Sequence, residues 1–207
     1  MIVPYFQFTM SGPSVRALVE RLREVGLFPT GRPESIGLLT KTLPVGDDWF
    51  ERTLGKKHGV LTFDERWTQV IYSASERTGE LVNVRLLDVP LDVADLVQRL
   101  STVPFELASF APIHLRWRNP ELGAYVGPSL GDLHTPVGWA IAFRGSGHQR
   151  LVSRELIAGG PWQVHRGPDD TTLLQLHDLD AEITAALAQA RSAHDRLVAD
   201  LLRPRHR

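Results

Sequence analysis

The sequence predicts an α+β fold: two related strand–helix–strand units forming mainly antiparallel sheet, followed by a long C-terminal helix. Three observations carry this. Ser14–Phe28 (SVRALVERLREVGLF) matches Asp92–Glu106 (DVADLVQRLSTVPFE) at an offset of 78 residues. The match aligns Val15 with Val93, Leu18 with Leu96, Val19 with Val97, Arg21 with Arg99, Leu22 with Leu100 and Val25 with Val103. Both segments open on a residue able to cap a helix and both follow an extended apolar run, as an internal duplication requires. Lastly, Ile183, Leu187, Ala190, His194, Leu197 and Leu201 recur at alternating spacings of four and three, the seam of a long helix. A chance alignment of two Leu/Val/Arg-rich helices is the competing reading of the repeat, and it leaves the fold class unchanged. The units divide at 1–78 and 79–178, with 179–207 as helix and basic tail, all within one compact domain.

Ile2–Met10 is short, apolar and aromatic, and reads as a strand. Ser11-Gly12-Pro13-Ser14 ends it. A helix follows over Val15–Val25, because Val15, Leu18, Val19, Leu22 and Val25 share one face while Arg16, Glu20, Arg23 and Glu24 take the other. Gly26 stops it. Ser35–Leu43, Gly59–Phe63 and Thr68–Ala74 read as strands, and the loop Pro44–His58 holds a short helical turn around Trp49 and Phe50. The second unit opens in the same way, with a strand at Leu81–Val89, a helix at Asp92–Val103 and an extended run at Phe105–Trp117. Asn119–Pro136 breaks the pattern with Gly123, Gly127, Pro128, Gly131 and Pro136, a long irregular loop of the kind that is often functional. Val137–Phe143 is a strand and Arg150–Ala158 a short helix. Trp162–Arg166 and Thr171–Leu176 form a hairpin around Gly167-Pro168-Asp169-Asp170, with His165 expected opposite Thr172. The last helix spans Ala181–Leu202, capped by Asp178 or Asp180. Its seam serves packing within the chain or, in a homodimer, against a second copy.

Composition narrows the function classes. The chain has 207 residues, 43% of them hydrophobic, a formal net charge of −1 and no cysteine. A near-neutral balance lacks the basic surface that general nucleic-acid binding uses. No apolar run approaches the roughly 18 residues that span a bilayer, so no membrane association is expected. MIVPYFQFTMSG has neither a basic n-region nor a signal-peptide h-region, which predicts a cytoplasmic protein. Without cysteine there is no disulfide, thiol nucleophile or thiolate metal site. No cofactor is predicted. Twenty arginines against three lysines, with abundant Leu, Val and Ala, suggest a GC-rich bacterial genome.

Written out, the first half reads β-α-β-β-β. That order resembles the modules of the vicinal-oxygen-chelate (glyoxalase-like) superfamily and, less closely, a ferredoxin-like half. The resemblance lies in element order alone. A chelate-type metal site needs His or Glu on matching strands of both halves, whereas the first strand offers only Gln7 and His58 falls in a predicted loop. No metal site follows, and fold analogy carries no function by itself.

The candidate chemistry lies in the second half, which holds seven of the eight histidines. In Phe143–Arg154 (FRGSGHQRLVSR) a strand ends at Arg144, Gly145 and Gly147 permit a tight turn, and a helix is expected to begin near His148. Exposed N–H groups at such a turn favour an anion. Arg144, Arg150 and Arg154 add guanidinium forks for phosphate, sulfate or carboxylate. The competing reading is an ordinary strand-to-helix turn whose arginines pair with Glu155 or Asp132. His177-Asp178-Leu179-Asp180 invites a metal reading, but the segment sits where a helix cap is expected, and capping explains it better. His194 lies on the apolar seam and reads as a core histidine. Trp117 and Tyr125, flanked by Arg116, Arg118 and Glu121, have the residue types of an interface.

Two functions from different classes result. The first is a non-enzymatic binding protein, a partner-binding or immunity-type module, recognising another protein or a small anionic ligand through residues 117–136 and Arg144–Arg154. The second is a small-molecule enzyme or ligand-binding domain, with His114, His134, His148 and Arg144 lining a pocket between the duplicated units. The missing catalytic signatures favour the first.

Overall fold

A computed structural model describes residues 2–12, 14–38, 41–54, 58–63, 69–75, 79–112, 139–144 and 154–201. Its strands are β1 (Ile2–Gly12), β2 (Ser35–Leu38), β3 (Lys41–Leu43), β4 (His58–Thr62), β5 (Gln69–Ser75), β6 (Gly79–Pro90), β7 (Leu107–Pro112), β8 (Ala140–Phe143), β9 (Gln163–Arg166) and β10 (Thr172–Gln175). They form a ten-stranded sheet in the order β3-β2-β4-β5-β6-β1-β7-β8-β10-β9. Every described pairing is antiparallel. The described helices are α1 (Val15–Glu24), α2 (Trp49–Leu54), α3 (Val93–Leu100), α4 (Arg154–Gly159) and α5 (Ile183–Leu201). The fold is α+β.

The long strands β1 and β6 pair at the middle of the sheet, with Gln7 opposite Arg85. β1 therefore lies between β6 and β7, and the boundary at residue 78 does not divide the sheet. Antiparallel steps reverse direction, so β1 and β2, four steps apart, run parallel, as do β6 and β7, two steps apart. α1 and α3 are thus crossover helices, which is why each buries a single stripe. Leu18, Val19 and Leu22 are buried on α1, and Leu96, Val97 and Leu100 on α3, in one shared core. Ser14 caps α1 by accepting from the Ala17 N–H at 3.4 Å. Asp92 caps α3 by accepting from Ala94 at 2.8 Å and Asp95 at 3.3 Å. Gly26, at φ 72°, lets the Leu27 N–H reach back to the Leu22 carbonyl at 2.8 Å and stops α1. The helices also tie each other's C-terminal ends. Arg21 Nε donates to the Thr102 carbonyl and Arg99 Nη1 to the Val25 carbonyl, each at 3.2 Å.

Ser35–Leu43, expected as one strand, is a hairpin of β2 and β3 with Gly37 opposite Thr42. The reason is burial: Lys41 and Thr42 are exposed at the sheet's edge, so the segment has no second apolar face to continue inward. α2 is held on α1 by charge and ring contacts. Arg16 grips both oxygens of Glu51, at 2.9 and 2.6 Å, and this hydrogen bonding holds the Glu51 carboxyl below its ordinary range. Arg23 lies over Trp49 and Phe50 at 5.7 and 5.1 Å.

Toward its other edge the sheet is covered on both faces. Ala140, Ala142 and Leu173 join the core beneath α1 and α3, while Ile141, Phe143 and Leu174 join Ile157, Ala193 and Leu197 on the opposite side. On α5, Leu187, Ala190, His194 and Leu197 are buried within the chain's own fold. Among the described residues no helix is long and apolar enough to cross a membrane.

Candidate functional site

β8 ends at Phe143 and α4 covers Arg154–Gly159, with the residues between 145 and 153 outside those described. Gly145, Gly147, His148 and Arg150 lie outside the described residues, as do His114, Trp117, Tyr125 and His134. Arg144 directly follows β8. Its N–H extends the ladder to the Glu106 carbonyl at 3.3 Å, and its Nη1 donates to the carbonyl of Val103 just beyond α3. Nη2 is 3.7 Å from Asp169 Oδ2, and the side chain is 24% exposed. One guanidinium thus ties the end of α3 to the β9–β10 turn.

That turn places two aspartates in the left-handed region, Asp169 at φ 52° and Asp170 at φ 55°. Asp tolerates this conformation, and consecutive positive φ values give the turn a twist that suits a hairpin. The Thr171 N–H donates to the Pro168 carbonyl at 3.0 Å, and the Gly167 N–H donates to the Thr171 carbonyl at 2.8 Å. Two residues, Gly167 and Pro168, therefore oppose Thr171 as a β-bulge. This bulged two-residue turn stands where a symmetric four-residue loop was expected, so His165 faces Leu173 and not Thr172. Gly167 is required where the turn meets α3: a Cβ there would lie 2.6 Å from Val97 Cγ1.

A hydrogen-bonded polar chain runs along this hairpin. The Gln175 amide nitrogen donates to the His177 carbonyl at 3.1 Å, leaving its oxygen to accept from His165 Nε2 at 3.0 Å. His177 Nδ1 donates to the Asp178 carbonyl at 2.8 Å. Asp178 Oδ1 accepts from Gln163 at 3.1 Å, and its N–H donates to Gln189 on α5 at 3.1 Å. Asp178 thus ties strand to helix. Neither it nor Asp180 caps α5, which begins at Ile183. Among the described residues no group of three His, Cys, Asp or Glu could hold a metal ion. His194 is buried 3.8 Å from Asp195 Oδ1, and desolvation pushes its pKa below the usual 6.5 despite that carboxylate.

Beside this chain lies a groove of about 670 Å³ between α3 and β9, lined by Ala94, Val97, Gln98, Val164, His165 and Arg166 among others. Sequence reasoning did not find it, because its two walls are separated by some 70 residues. The one available signal was Gly167, a small residue where backbone meets a neighbouring element closely.

No family model and no curated protein matches the chain. Among solved structures, the substrate-free duplicated taurocyamine kinase from Schistosoma mansoni is similar at 12% identity, over 97% of this chain and 33% of that one. The chain therefore spans about a third of that structure's length, and the TM-score of 0.25 carries no argument about fold or activity.

Proposed function

We propose a non-enzymatic bacterial cytoplasmic binding protein, a partner-binding or immunity-type module, in which Arg144, Gly145, Gly147, His148, Arg150 and Arg154 form an anion-binding turn. The observation that carries this reading is the fixation of Arg144. Its side chain is 24% exposed, with Nη1 donating to the Val103 carbonyl where the chain leaves β8 and Nη2 3.7 Å from Asp169 Oδ2. A donor fixed before binding loses little freedom when an anion arrives, which favours recognition of phosphate, sulfate or carboxylate. Thermal shifts with phosphate and sulfate test it. The wild type is expected to gain stability with either anion, and the double variant Arg144→Ala/Arg150→Ala to lose that gain. Equal gains in both proteins would remove the anion turn. Native mass spectrometry, repeated after denaturation, reports on the competing class: a small-molecule mass lost on denaturation would favour the pocket between units.

We further infer that the two units arose by duplication around a local two-fold axis between β1 and β6. The β1–β6 ladder runs from Ile2↔Pro90 to Gly12↔Glu80, and its midpoint pair is Gln7↔Arg85. Those two residues are 78 apart, the offset that aligns the helices. An axis through that pair would exchange α1 with α3, and the repeat-matched Arg21 and Arg99 do bond each other's helix ends. Beyond the crossovers the units diverge, since the β4–β5 hairpin separates β6 from β2 while β7 lies directly beside β1.

A further inference from the structure

We propose that the outer edge of β9, together with the groove under α3, binds a short extended peptide segment of another protein by strand addition. The surface shares no residue with 117–136 or 144–154, so this proposal stands apart from the anion turn. Backbone alternation shows which groups the edge offers. The Leu176 N–H donates to the Trp139 carbonyl at 2.6 Å, which extends the β8–β10 ladder. Residues two apart bond the same way, so Thr172 and Leu174 bond toward β8 while Leu173 and Gln175 bond toward β9. The bulge at Gly167 gives the same phase from the other end. His165 and Gln163, opposite Leu173 and Gln175, therefore direct their backbone groups inward. The N–H and C=O of Val164 and Arg166 point away from β10. Among the described strands β9 pairs with β10 alone and ends the sheet.

Side chains on this edge define the occupant. His165 faces the α3 side with Leu173, its ring fixed by Gln175, beside Ala94, Val97 and Gln98. A strand added to β9 would send alternate side chains into that groove, as in recognition between a sheet edge and a helix. The α3 wall presents Ala94 and Val97 beside Gln98, which suits a small apolar residue opposite His165. Arg166 is exposed, and no described carboxylate lies within ion-pair distance of it, so the residue opposite it is acidic. Val164, 36% exposed, favours a β-branched neighbour. Read antiparallel to β9, the segment is acidic, small, β-branched. At the two ends of the edge Pro168 lacks an N–H and the Trp162 N–H is already bonded to the Gly160 carbonyl at 2.9 Å, which limits the pairing to a short segment and opposes open-ended sheet growth.

The probe is the fluorescent peptide TEAVT, titrated by anisotropy against the full chain, with amide shifts followed by NMR. We expect saturable binding below about 1 mM, with the largest shifts at the Val164 and Arg166 amides. N-methylation of the peptide's Glu and Val removes the N–H groups that would pair with β9, and it should abolish binding without altering the protein. R166E should weaken TEAVT by about tenfold, and TKAVT should recover the loss on that variant. Strand addition is overturned by absent saturation, by the methylated peptide binding within about twofold, or by shifts centred away from β9. Retained affinity of R166E would overturn the acidic specificity. The phosphate and sulfate shifts report on the anion turn alone, so either proposal can fail without the other.

Discussion

The contact of Gly167 with Val97 can be tested by a double-mutant cycle. A Cβ at residue 167 would stand 2.6 Å from Val97 Cγ1 and 3.3 Å from the Val97 carbonyl. Carbon atoms in good contact lie about 3.5–4.0 Å apart, so G167A forces a displacement of about 1 Å. Val97 cannot yield easily, because it is 3% exposed and β-branched, with one favoured rotamer in a helix. Overpacking of this kind costs about 1–3 kcal/mol. Replacing glycine also removes freedom from the unfolded chain, which returns about 0.4–1 kcal/mol. The net loss for G167A is then about 1–2 kcal/mol, and for a chain of this size each kcal/mol lowers Tm by about 2–4 °C. V97A deletes two methyl groups and leaves a small void, at about 2 kcal/mol. In V97A the obstructing methyl is gone and the new Cβ partly fills its place. The double variant should therefore resemble V97A alone, with a coupling of about 1–2 kcal/mol in urea unfolding. Effects that add within about 0.5 kcal/mol would show that the turn does not rest on Val97, and would refute the reasoning.

Two further outcomes follow from other parts of the molecule. R21A and R99A each remove one bond to the opposite helix end and should lose similar amounts, about 0.5–1.5 kcal/mol by urea unfolding; one silent variant would break the reciprocity that the proposed two-fold axis requires. His194 has a folded pKa held below the unfolded value by burial, with Asp195 opposing in part. As pH falls below about 6.5 the unfolded chain takes up the proton first, so stability should decline through that window. His194→Gln should flatten the dependence of the urea midpoint between pH 8 and pH 5, and an unchanged slope would place the titration elsewhere.

The crossover helices were legible because they announce themselves locally. Val15, Leu18, Val19 and Leu22, bracketed by Ser14 and Gly26, specify an amphipathic helix with both ends, and α3 repeats the pattern behind Asp92. The short turn of α2 was legible too, from Trp49 and Phe50 amid polar neighbours. The division of Ser35–Leu43 was not, because a strand and a tight hairpin share β-propensity, and exposure at the sheet edge separates them. Nor was the bulge at Gly167-Pro168, which depends on which carbonyl the Thr171 N–H finds. Nor was the role of Asp178, expected with Asp180 as a cap: it bonds instead to Gln163 and Gln189, partners that only the meeting of β9 with α5 supplies.

By itself, then, the sequence determined the α+β class, the position of each crossover helix and the seam of α5, since periodicity and capping act over a few residues. Tertiary structure alone decided that β1 enters between β6 and β7, that β9 ends the sheet, and that α3 lies over it to form a groove. Strand order depends on pairings between residues far apart in the chain, and the energy of each pairing leaves no local pattern. The groove between α3 and β9 is of that kind: Val97 and His165 become neighbours only once the sheet has closed around β1.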